Sequence, residues 1–164
     1  MDYTEAYIES LIKCRKAIVE PPTKEMKLEK KHKRNDMKLK SLDMDDQFYV
    51  FMRIHIDFQE NFSIGLLHQS LEGPKNILLR FNGNHGQVVE DPIKPNPHFG
   101  YHIHKTTSDD LNNGFFEPKL IVSTSEYASF KEALKYFFNF VNITDAYKHF
   151  RHIFKKKLFN NEII

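Results

Sequence analysis

Gln47-Phe48-Tyr49-Val50-Phe51-Met52-Arg53-Ile54-His55-Ile56-Asp57-Phe58 alternates without a break. Val50, Met52, Ile54, Ile56 and Phe58 fall on one side, and Tyr49, Phe51, Arg53, His55 and Asp57 on the other. That is the period-2 signature of a strand with one face buried. Glu60-Asn61 supplies a short turn, after which Phe62, Ile64 and Leu66 continue the pattern. Gly73-Pro74 punctuates next, and Lys75–Phe81 is a third strand. Short connections between three strands predict an antiparallel meander with one covered face.

Working outward, residues 1–20 predict an amphipathic helix over 3–19. Asp2 is its N-cap with Glu5 three positions on, and Ile8, Leu11, Ile12, Ile18 and Val19 lie near one stripe before Pro21-Pro22 stops it. Residues 21–46 form a polar connection, either an arm or a short edge strand around Met37–Leu42. Toward the C-terminus, a loop at 83–97 holds Pro92, Pro95 and Pro97, and His98–Lys105 alternates again. A polar loop at 106–118 leads to a short strand over Lys119–Ser123. Ser129-Phe130-Lys131-Glu132 is a capping box that opens a helix to about Val141, and Thr144 caps a last basic helix to about Phe159. The expected class is α+β in one domain. An antiparallel sheet of about four to five strands over 47–125 packs on the N-terminal helix and on two C-terminal helices over 126–160.

The 164 residues are 40% hydrophobic and 28% charged, which suits a soluble globular chain and excludes a disordered tail or a disulfide scaffold. The lone Cys14 cannot pair internally, and Met1-Asp2-Tyr3-Thr4-Glu5 lacks the features of a signal peptide. No apolar run approaches the roughly 20 residues that span a bilayer. A cytoplasmic location without membrane contact is therefore expected. Net charge is only +2 but unevenly spread. Eight Lys and Arg against three acids lie between Lys24 and Lys40, among them Lys30, Lys31, Lys33 and Arg34. Five basic residues and no acid lie between Lys148 and Lys157, among them Arg151, Lys155 and Lys156. Such clusters suit a polyanion, nucleic acid above all.

On the expected His98–Lys105 strand, His98, His102 and His104 share the face opposite Phe99, Tyr101 and Ile103. The apolar side belongs to the core, so the His side is expected to be open. The same alternation assigns Arg53 and His55 to the non-core face and brings in Arg80, although Leu78 beside it leaves the core side of that strand undecided. His85 and His98 then sit on loops at the edge. Two imidazoles flanking a phosphodiester can act as general base and acid while an Arg stabilises the charge on phosphorus. RNA cleavage needs only those parts, because the 2′-hydroxyl is the nucleophile, and Tyr49 and Phe51 offer stacking surfaces for bases. The expected acid–base residues are His102 and His104, or His85, with Arg80 on phosphate. Arg53, His55, His98 and Asn82 serve binding, and no cofactor is required. The competing readings are a wetted sheet surface and a zinc or iron site at His102 and His104 joined by His98 or His85, which neighbouring Arg residues would disfavour.

Leu78-Leu79-Arg80-Phe81-Asn82-Gly83-Asn84-His85, followed by His98-Phe99-x-x-His102-Ile103-His104, resembles a bacterial and phage family with an L-L-R-x-N-G-x-H segment and a later H-x-H strand. More distantly, Arg80, Asn82, His85, Phe99, His102 and His104 resemble the pattern of TumE-type toxins of toxin–antitoxin pairs. Phe81-Asn82-Gly83 departs from that pattern, where an Asp-Asn pair stands, and the single His85 comes one residue early. The resemblance implies a metal-independent endoribonuclease toxin, with RNA as substrate and an antitoxin as partner. The alternative is a non-enzymatic phage or mobile-element protein whose basic face holds nucleic acid or a host defence protein.

Overall fold

The computed structural model describes residues 2–70, 73–85, 96 and 98–155. Helix α1 spans Glu5–Lys13, capped by Thr4, whose hydroxyl accepts from the Tyr7 N–H. It buries Ile8, Leu11 and Ile12 as the stripe predicts. It does not continue to Val19. Strand β1, Lys16–Glu20, takes over because the chain turns at Lys16, whose buried ammonium donates to the carbonyls of Ile12, Cys14 and Val141 at 2.8, 2.9 and 3.0 Å. Those carbonyls stand at the ends of two helices, where backbone acceptors lack helical partners.

The polar connection is also corrected. It folds into β2 (Lys27–Glu29) and the ten-residue β3 (His32–Ser41), joined by a tight turn with Lys30 at φ 55°. Then follow β4 (Gln47–His55), β5 (Phe62–Gln69), β6 (Lys75–Asn82), β7 (His102–Lys105) and β8 (Leu120–Ser123). Among the described residues the sheet has eight strands rather than four or five, in the order β1-β3-β4-β5-β6-β7-β8, with β2 on the other half of β3. Every strand pair is antiparallel.

A short helix α2 (Ser108–Asn112) interrupts the expected polar loop, closed by a Thr107–Asp110 capping box. Helix α3 (Phe130–Phe140) starts at the predicted Ser129 cap. The expected last helix breaks into two turns, α4 (Ala146–His149) and α5 (Arg151–Phe154). The carboxylate of Asp145, the residue at the N-cap, accepts from the Ile18 N–H instead of capping the helix. Its expected end near Phe159 lies outside the described residues. No described helix is long and apolar enough to cross a membrane.

The helices cover one face of the sheet. Facing residues Met37, Val50, Leu66 and Leu79, and next to them Met52, Ile64 and Phe81, form the core beneath Leu134, Phe137 and Phe138 of α3. The register shifts between Leu66 and Leu67, leaving Leu78 without a direct partner on β5. This bulge admits Leu78 and Leu79 both to the core and sends Arg80 to the far side, which settles the ambiguous strand face.

Candidate functional site

Directly paired residues of antiparallel strands project to the same face. One such row crosses the uncovered side as Arg34, Arg53, Ser63, Asn82, His102 and Ser123. A second runs Asp36, Phe51, Gly65, Arg80, His104 and Ile121, and a third begins with His32 opposite His55. Arg53, His55, Arg80, His102 and His104 therefore do share one face. That face is not open throughout. His98 belongs to a turn ahead of β7 rather than to the strand, and it folds over His102 and His104 with ring centroids 5.1 and 5.3 Å away. His85, beyond the end of β6, closes from another side at 5.2 Å. His102 is 0% exposed and His104 5%.

Both buried rings have a defined orientation. Nδ1 of His102 lies 3.1 Å from the Gly100 carbonyl, and Nδ1 of His104 lies 3.2 Å from that of Pro118. A carbonyl only accepts, so each Nδ1 carries the hydrogen and each Nε2 is left with a lone pair. The Asn82 amide nitrogen, 3.3 Å away, donates to Nε2 of His102, and the Asn82 oxygen accepts from the Ser63 hydroxyl at 2.8 Å. Burial depresses the basicity of His102 to a pKa of about 4, and the neighbouring imidazoles push the same way. His104 is also lowered by burial, and Arg80 contributes. His98, His102 and His104 each offer a donor atom within 4.8 Å of the others.

Beside the cluster lies a cavity of about 300 Å³ between His32, Arg53, Ser63, Arg80, Asn82 and His85. Nη2 of Arg53 donates to Nδ1 of His32 at 3.1 Å, so neutral His32 carries its proton on Nε2. Nδ1 of His85 donates to the Asn61 side-chain oxygen at 3.2 Å, which leaves its Nε2 as an acceptor. Burial lowers both rings, assisted by His98 and Arg80 at His85 and by Arg53 and His55 at His32. Arg80 donates to Glu117 at 3.1 Å, and its buried Nε has no hydrogen-bond partner among the described residues.

Of the basic segments, Arg34 joins this face beside Arg53, while Lys33 pairs with Ile54 and alternates to the opposite side. Lys30 and Lys31 form the hairpin turn. Arg151 and Lys155 lie with the helical layer, where α5 packs on α3, and so are not brought to the histidine face. Lys156 lies outside the described residues. Two participants escaped the sequence reading. His32 is hidden in a lysine-rich run, and Glu117 sits in a loop with no periodicity; only the pairing of β3 with β4 gives His32 away. Set beside known proteins, the chain matches no family model, no curated protein and no solved structure.

Proposed function

We propose that the cavity between β3 and β6 binds an RNA phosphodiester and cleaves it with the substrate's own 2′-hydroxyl as nucleophile. The observation that carries this reading is the placement of His32 and His85 around one cavity that also holds Arg53 and Arg80. His85, with a free Nε2 lone pair, takes the 2′-hydroxyl proton. His32, with its proton on Nε2, donates a hydrogen bond to the departing 5′-oxygen, and the proton that His85 has taken is returned to that oxygen through solvent. Arg80 and Arg53 stabilise the charge that grows on the phosphoryl oxygens. The acid–base work expected of His102 and His104 passes to these two rings, because a fully buried imidazole has no path to a bulky substrate. Phe51 and Arg34 on the same face extend the surface along which a strand lies, with the Arg34 guanidinium 5.8 Å from the Phe51 ring centre. In a toxin–antitoxin setting, the antitoxin would cover this face.

The test is incubation of the purified chain with an RNA oligonucleotide and its 2′-deoxy counterpart. Cleavage of RNA alone, leaving 2′,3′-cyclic phosphate ends, is expected, and His85→Ala and Arg80→Gln should each lose it while remaining folded. Uncut RNA, or cleavage unchanged in both variants, overturns the reading. Salt-sensitive RNA binding without cleavage would instead favour the non-enzymatic module.

A further inference from the structure

We infer that His98, His102 and His104 form a binding site for one zinc ion. The site lies next to the phosphodiester cavity, and the inference does not depend on the RNA reading. Three features carry it. The donor atoms of the three imidazoles converge within 4.8 Å of one another. A tetrahedral zinc with bonds of about 2.0–2.1 Å needs its nitrogens roughly 3.3 Å apart, a modest closure that His98 can supply from its turn. The two strand ligands are also held as a metal requires. His102 and His104 spend Nδ1–H on the Gly100 and Pro118 carbonyls, so both rings keep Nε2 for the ion. That outer partner is the usual companion of a metal-binding histidine.

The third feature is the composition of the donor set. It holds three neutral nitrogens and no carboxylate, which disfavours magnesium, calcium and manganese and suits zinc with one open position. Strand alternation explains why the pair is His-x-His, since residues two apart on β7 point the same way. The repulsion expected from a nearby Arg is offset here, because Arg80 is paired with Glu117. The Asn82 amide that now contacts Nε2 of His102 has to yield, and Ser63 already holds its other end.

The full-length chain, stripped with a chelator and kept free of RNA, is titrated with zinc chloride against a chromophoric competitor, and in parallel with cobalt(II). One equivalent should bind more tightly than the micromolar range, and cobalt should give the intense visible absorption of a tetrahedral nitrogen-rich site. Loss of an outer partner costs a metal site roughly 10–100-fold, so His98→Ala, which removes a ligand outright, should weaken zinc binding by at least about 100-fold. His98 is only partly buried in a turn, so its removal leaves the fold in place. His149→Ala serves as the control and should bind zinc like the unaltered chain, because His149 lines a different cavity on the helical side. Binding no tighter than micromolar, or equal affinity in His98→Ala, overturns the inference. Neither result bears on RNA cleavage, which is scored separately.

Discussion

Lys16→Met tests the joint between α1, β1 and α3. Lys16 is 0% exposed, and its ammonium satisfies three carbonyls. Burial lowers its pKa from 10.5 to about 8. Each pKa unit is worth 1.36 kcal/mol, so holding the charged form inside costs about 3 kcal/mol relative to the unfolded chain. Below pH 8 both states are protonated, and the folded protein bears that cost in full. Between about pH 8 and 10.5 the unfolded chain binds the proton that the native state has released, so stability rises with pH. Above 10.5 the gain is complete. Met keeps the volume and removes the charge, but it abandons three buried carbonyls at roughly 1–3 kcal/mol each. The carbonyl loss exceeds the relief, and Lys16→Met should be less stable by about 3 kcal/mol at pH 7. The deficit should grow to about 6 kcal/mol near pH 10.5, as the unaltered protein gains and the variant does not. Urea unfolding of both proteins across this range measures the difference, in which all shared titrations cancel. A difference that stays flat with pH, or a variant more stable at pH 7, refutes the reasoning.

Two glycines on the site side should respond differently to alanine. A Cβ at Gly83 would stand 1.8 Å from the Glu60 carbonyl oxygen, so backbone must move, at a cost of roughly 1–3 kcal/mol seen in thermal melts. A Cβ at Gly65 meets only the far end of the Phe51 ring, which can swing away, so Gly65→Ala should melt closer to the unaltered protein. Tyr127→Phe should lose about 1–3 kcal/mol, because the buried hydroxyl lies 3.1 and 3.0 Å from the Asn82 and His102 carbonyls. Its far-ultraviolet dichroism should be unchanged. Asp46→Asn should destabilise measurably in urea, since Asp46 holds the otherwise buried His68 ring at 2.6 Å; an unchanged midpoint would count against that pairing.

What could be read along the chain was what depends on alternation in one strand at a time. Val50 and Met52 are core residues of β4 and Ser129 starts α3, as their local patterns predict, whereas Ile56, expected on the same face, lies past the end of β4 and is 40% exposed. The missing strands failed for physical reasons. Of the ten residues of β3 only Met37, Leu39 and Ser41 are buried, so its composition resembles a solvated arm. In β1 the apolar Ile18 and Val19 fit a helical stripe as well as a strand. The contacts of Lys16 with residues 125 positions away decide between them. The site shows the same division. His102 and His104 could be placed on one face from spacing alone, whereas the side taken by Arg80 depends on the bulge opposite Leu78, and the burial of the two histidines beside His98 and His85 depends on loop packing. His32 became visible only through its register with His55.

The core and the site are two sides of one strand. On β6, Leu79 and Phe81 point inward while Arg80 and Asn82 point outward, so no change on one side leaves the other untouched. Phe81 stacks on Tyr127 at 5.5 Å and 13°, and the Tyr127 hydroxyl reaches the main chain at both Asn82 and His102. The backbone beneath the histidine cluster is thus gripped from the core side. Above it, Asn82 links Ser63 of the cavity to His102 of the histidine cluster. A fixed backbone with one polar residue shared between adjacent sites is a preorganised arrangement, in which the cost of ordering the side chains is met during folding rather than on binding.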